Sequence, residues 1–133
     1  MTDRRAPFQA RVLPDTCDVL APDGSEIRLL VSGGRGSMVH CRLPAGQTSR
    51  AVRHRAVEEL WYVLSGAGEL WRKAGAEESV QALRPGLSVD IPPGAHFQFR
   101  ATGPEALCVL IVTLPPWPGP QEAVRVPDHW PVA

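Results

Sequence analysis

The stretch HRAVEELWYVLSG, running from His54 to Gly66, decides how this chain is read. It opens on a histidine, carries the adjacent carboxylates Glu58 and Glu59, passes through the apolar, β-prone run ELWYVL and ends on a glycine. Side chains alternate across a strand, so Glu58 and Glu59 are expected on opposite faces. If Glu59 faces inward, Trp61 and Val63 share its face. AVRHRAVEELW (51–61) is the nearest approach to a helical pattern, yet it runs directly into aromatic and β-branched residues.

The rest of the chain has the same character. CDVLA (17–21) and SEIRLLVSG (25–33) flank the Asp23-Gly24 pair, a hairpin turn signal. SMVHCRLPAG (37–46), ELWYVLSGAGELWRK (59–73), SVQALRPG (79–86), LSVDIPPG (87–94), HFQFRAT (96–102) and EALCVLIVTL (105–114) follow, with glycine or proline at each joint. Short strands at this spacing indicate an all-β sandwich or barrel. GGRG (33–36) is a turn rather than a phosphate loop, because no GK[ST] and no helix follow it. The last stretch, PPWPGPQEAVRVPDHWPVA (115–133), has six prolines in nineteen residues and suits neither a central strand nor a long helix. It also carries Trp117, Val124, Val126 and Trp130, so it is expected to be an extended arm packed on the barrel or on a neighbouring subunit.

Composition excludes several classes. The chain has 133 residues, which fits one domain over 1–133, with barrel core about 16–114 and arm 115–133. Fourteen basic residues balance fourteen acidic ones, and no cationic cluster suggests nucleic acid. Cys17, Cys41 and Cys108 are odd in number and form no CxxC, which argues against a disulfide framework or a cysteine zinc site. MTDRRAPFQARVLP (1–14) lacks the apolar segment of a signal peptide, and no window is apolar enough for a membrane helix. The expectation is a cytoplasmic protein. Apolar edge strands and the arm further suggest a homodimer.

The glycines and histidines then fall into two spaced sets. Gly46 precedes Val52 by five intervening residues; His54, Glu59 and Gly66 follow. Gly86 precedes Pro92-Pro93-Gly94, Ala95 and His96. This spacing resembles the two motifs of the cupin superfamily, G-x5-HxH-x3–4-E-x6-G and G-x5-PxG-x2-H-x3-N. Val52 stands where the family has its first histidine, the second motif is one residue short before His96, and Arg100 stands where asparagine is common. HR-x-VEE-x-WY, HFQFR and PPWPG also look like stretches shared by a group of small bacterial cupin-domain proteins with no well-established reaction.

The resemblance implies a cupin jelly-roll β-barrel, or double-stranded β-helix, with a divalent metal held by His54, Glu59 and His96. Two imidazoles and a carboxylate suit iron, manganese, nickel, copper or zinc and leave positions open for a small oxygenated ligand. The expected function is a metal-dependent isomerase, cyclase, lyase or dioxygenase acting on a small carbonyl compound. The alternative is a metal-free or non-catalytic cupin that binds a small ligand. If His96 faces inward, Gln98 and Arg100 join Trp61 as ligand-binding candidates, with Arg100 available to a carboxylate or enolate. Glu58, His40 and Tyr62 are candidate proton-transfer groups.

Overall fold

The computed structural model describes residues 8–132. The reading of the N-terminal stretch therefore falls partly on residues 1–7, outside the described residues. The chain is all-β. Its strands are β1 (Val19–Leu20), β2 (Glu26–Ser32), β3 (Ser37–Leu43), β4 (Val52–His54), β5 (Glu58–Ser65), β6 (Gly68–Ala74), β7 (Glu77–Leu83), β8 (Ser88–Ile91), β9 (His96–Ala101), β10 (Leu107–Leu114) and β11 (Ala123–Arg125). A 3-10 turn at Pro120–Glu122 precedes β11. AVRHRAVEELW is not helical: β4 and the start of β5 occupy it, separated by a bend.

All pairings are antiparallel. One sheet has the order β1-β2-β3-β10-β5-β8 and the other β11-β4-β9-β6-β7. From β3 to β6 and again from β7 to β11, strands consecutive in sequence fall in different sheets, so the chain winds between two layers as in a jelly roll. The two inner faces meet around Trp61, Phe97, Phe99, Leu43, Leu70 and Leu107, each essentially buried. β5 shows the alternation that the sequence suggests: Glu59, Trp61 and Val63 are buried, while Glu58, Leu60, Tyr62 and Leu64 are exposed.

Gly66, the last residue of the opening stretch, turns β5 into β6 at φ +84°. A Cβ built there would lie 2.2 Å from the Ala106 carbonyl oxygen. The backbone conformation and this close approach both demand glycine. Gly66→Ala is expected to destabilise the fold by at least about 2 kcal/mol, read by urea unfolding.

The proline-rich C-terminal segment lies against the barrel. β11 pairs with β4 and extends the second sheet. Val126 and Trp130 pack with Ala51 and Trp71 on that sheet's outer side. Gln98 is the anchor. Fully buried, its Nε2 donates to the carbonyls of Ser49 (2.8 Å) and Trp130 (2.9 Å). Its Oε1 accepts from the backbone N–H groups of His129 (2.9 Å) and Trp130 (2.7 Å). The His129 ring stacks on Trp71 at 5.0 Å, and the Arg100 guanidinium sits 4.3 Å from the centre of a Trp130 ring. Removing the Gln98 amide leaves four backbone groups without this partner. Gln98→Leu is expected to cost about 2–3 kcal/mol and to expose the segment to limited proteolysis, an outcome that gel analysis and denaturant titration would check together.

Candidate functional site

Between the sheets lies a cavity of about 490 Å³. Its walls are mostly apolar, with Val52, Trp61, Phe97, Phe99 and Ile111 among them, and Trp117 of the C-terminal segment completes the rim. Val19, Leu20 and Leu29 also line it and are substantially exposed, which gives the opening an apolar border.

Two of the side chains singled out by the motif spacing enter this cavity from adjoining elements. His54 is the last residue of β4, and Glu59 is the second residue of β5; both are buried. The bend between them is held by Glu122, whose Oε2 accepts from the backbone N–H groups of Ala56 (2.6 Å) and Val57 (2.8 Å). The His54 ring is clamped edge-on between Phe97 (5.1 Å) and Trp117 (5.0 Å). The Glu59 Oε1 accepts from the Trp61 indole N–H at 2.9 Å. Its other oxygen lies 3.9 Å from His54 Nδ1, too far for a hydrogen bond, and that nitrogen is buried without a partner.

The electrostatics follow from desolvation. Burial pushes the Glu59 carboxyl from its ordinary 4.5 to about 7, partly offset by the Trp61 N–H and reinforced by nearby Asp23. Burial pushes His54 from 6.5 down to about 4, partly offset by the Glu122 charge. Although the separation falls within ion-pair range, both neutral forms are favoured at mildly acidic pH. The pair is therefore an imidazole beside a carboxylic acid, not a salt bridge. Asp23 also borders the cavity, its oxygen satisfied by the Ser25 N–H and hydroxyl, and burial raises it too. Cys41 lines the cavity with a thiol that burial pushes well up, so it behaves as an apolar residue.

The other candidates lie elsewhere. Val52 pairs with Phe97, and Arg53 with His96, across β4 and β9. Directly opposed residues share a face, so Val52 and Phe97 face the cavity while His96 faces outward beside Arg53 and Lys73. Gln98 and Arg100 share the face of His96. Gln98 lies beneath the C-terminal segment, and Arg100 forms an ion pair with Glu69 at 2.6 Å. The expected inward set of β9 is thus inverted: Phe97 and Phe99 enter the barrel. The reason is apolar burial, because HFQFRA alternates with Phe97, Phe99 and Ala101 as its apolar members. Glu58 and Tyr62 are exposed on the outer side of β5. His40 pairs with Leu110 and Arg28 on the outer face of the first sheet, where burial and then Arg28 lower its pKa. None of these three reaches the cavity. The sequence reading missed Trp117 as a cavity wall and Glu122 as the clamp of the bend. Trp117 signals itself only as an aromatic residue inside a proline-rich run.

The family model for the cupin domain matches residues 39–113. The chain belongs to the cupin family. Among solved structures it is similar to a conserved protein with a double-stranded β-helix domain from Klebsiella pneumoniae, at 20% identity over 78% of this chain and 85% of that one, with TM-score 0.65. It is also similar to the CENP-C cupin domain of Drosophila melanogaster (16% identity, 81% and 84% covered, TM-score 0.66). A third similar structure is a predicted oxalate decarboxylase from Thermotoga maritima (18% identity, 79% and 99% covered, TM-score 0.63). At these identities the likeness concerns the fold of this cupin. No curated protein gives a significant sequence match. Among the described residues, no helix is long and apolar enough to cross a membrane.

Membership raises the question of a metal. With the ordinary spacing P-x-G-x2-H counted from Pro92, the last ligand of the second motif falls on Phe97, one residue beyond His96. The four motif positions in this cupin are thus Val52, His54, Glu59 and Phe97, and two of them offer no lone pair. Among the described residues no group of three or more His, Cys, Asp or Glu side chains is placed to hold a metal. An imidazole and a carboxylate are one ligand short of the smallest common set. The residues present do not fit a resident divalent cation.

Two outcomes are expected. After incubation with iron(II), manganese, nickel or zinc and desalting, metal content should stay well below one equivalent and should be the same in His96→Ala; stoichiometric metal lost in that variant would reverse this assignment. The second outcome concerns pH. A raised carboxyl pKa stabilises the fold below about 4.5, and this contribution is lost as pH rises to about 7. The lowered His54 pKa acts oppositely: stability is gained as pH rises from about 4 to 6.5. The two slopes oppose each other in wild type. Glu59→Gln should unmask a rise on the order of 2 kcal/mol between pH 4 and 6.5, measured by urea unfolding across that range.

Proposed function

We propose that this cupin is a metal-free small-molecule-binding protein whose ligand is mainly apolar and is anchored by the His54–Glu59 pair. The observation that carries this reading is the pair itself: two buried polar groups, 3.9 Å apart and not hydrogen-bonded to each other, at the wall of an otherwise apolar cavity. Buried polar groups are ordinarily satisfied. A ligand polar atom placed between the two would satisfy both while the rest of the molecule contacts Trp61, Phe97 and Trp117. Cavities of several hundred Å³ with an apolar lining and few convergent polar groups are the usual form of small-ligand sites.

A metal-dependent isomerase, cyclase, lyase or dioxygenase reaction lacks its third donor here. One observation favours a second reading, that of proton-transfer catalysis without metal. The Glu59 carboxyl near 7 is suited to give and take a proton at neutral pH, with His54 as the adjoining acceptor. Glu59, rather than Glu58, His40 or Tyr62, is then the acid–base group.

A neutral two-ring aromatic alcohol, 1-naphthylmethanol, tests the binding reading. Tryptophan emission should change saturably on titration, since Trp61 and Trp117 line the cavity. His54→Ala should weaken binding by about tenfold, or roughly 1.4 kcal/mol, whereas His96→Ala should leave it unchanged. Equal effects of the two substitutions would remove the pair from the site.

A further inference from the structure

We propose that the cavity selects an organic amine, bound as its cation between the Glu59 carboxylate and the His54 imidazole, with its carbon skeleton against the aromatic walls. This rests on the small-molecule reading above and narrows it to one charge class.

Three independent features converge. The first is charge. Among the described residues no lysine or arginine lines the cavity, while Glu59 and Asp23 both do. Asp23 is satisfied by Ser25, but Glu59 keeps one oxygen without a hydrogen-bond donor. Arg50 acts on Asp23 from outside the cavity wall, but a carboxylate or phosphate ligand would still enter beside Glu59 with no cationic side chain facing it, at the cost of burying an unpaired charge. Arg100, the residue that the sequence offered for such an anion, is committed to Glu69 on the outer surface.

The second feature is the number of protons the site can accept. Glu59 Oε2 is an acceptor, and a neutral imidazole supplies another. Against the ionised carboxylate, a hydroxyl has one proton and can donate to only one of the two acceptors. A primary ammonium has three N–H donors and a secondary ammonium two, so one nitrogen can donate to both. A nitrogen about 2.9 Å from each of two atoms 3.9 Å apart is an ordinary hydrogen-bond geometry. The ammonium also supplies the counter-charge that the buried carboxylate lacks.

The third feature is the wall. Trp61 packs edge-on against Phe97 and Phe99, and Trp117 borders His54. Aromatic faces attract desolvated cations, and the attraction strengthens as water is excluded. An apolar cavity walled by aromatic rings, with one unpaired carboxylate, is complementary to an amine carried on a hydrophobic skeleton.

The test uses three ligands with one skeleton: 1-naphthylmethylamine, 1-naphthylmethanol and 1-naphthoate, titrated calorimetrically into the full chain at neutral pH. The amine should bind at least about tenfold tighter than the alcohol, and the naphthoate should give no saturable heat. Glu59→Gln should bring amine and alcohol within about threefold of each other. An alcohol that binds as tightly as the amine, or a naphthoate that binds at all, overturns the amine assignment and leaves the small-molecule reading standing. Retention of the amine preference in Glu59→Gln overturns the site. Failure of all three ligands to bind folded wild type overturns both readings. Should Glu59→Gln not fold, the wild-type ranking decides alone.

Discussion

Everything at the centre of this cupin depends on which face of β9 turns inward. A strand has only two faces, and its register on β4 sets both at once. With Val52 opposite Phe97, the cavity receives a valine and a phenylalanine at two positions where the cupin motifs call for histidine. With the register one residue away, His96 would enter, but so would Gln98 and Arg100, and two phenylalanines would be driven to the surface. The apolar alternation of HFQFRA opposes that arrangement by several kcal/mol of lost burial. One parity choice therefore removes a metal ligand, closes the cavity with an aromatic wall and frees Gln98 to anchor the C-terminal segment.

The chemistry of the cavity follows from what remains. His54 and Glu59 are pushed toward their neutral forms by the same desolvation, because neither has a charged partner strong enough to oppose it. In a four-ligand site a cation would hold both in their metal-binding forms. Without one, at mildly acidic pH they form an uncharged donor–acceptor pair facing an apolar space. In the proposed reading the pair thus turns from coordination chemistry to ligand recognition, with no change in its own residues.

Much of the fold was legible in the sequence, since turn glycines and alternating apolar runs are local signals. The face of β5 was legible only through the motif spacing: with Glu59 inward, Trp61 and Val63 follow by strand parity, whereas ELWYVL itself is a continuous apolar run. The site was only half legible. His54 and Glu59 stand where the motif spacing puts them. His96 was misleading because a histidine one residue early looks like a ligand, although one residue on a strand means the opposite face. The shortened spacing was itself the warning, and the apolar members of HFQFRA carried the answer. Trp117 and Glu122 were illegible as site residues because their contacts with His54 and with the bend after it join positions some sixty residues apart, which no local pattern encodes.

The Glu122 clamp gives the chain's modular boundary a different meaning. The cupin match ends at residue 113, yet the carboxylate that holds the bend between His54 and Glu59 comes nine residues later. A chain ending at residue 113 would keep every strand from β1 to β9 and nearly all of β10. It would lose the part that sets the spacing of its own central pair. The matched family domain and the unit that shapes the cavity are therefore not the same length of chain, because the segment after residue 113 both extends the second sheet and holds the bend beside the cavity.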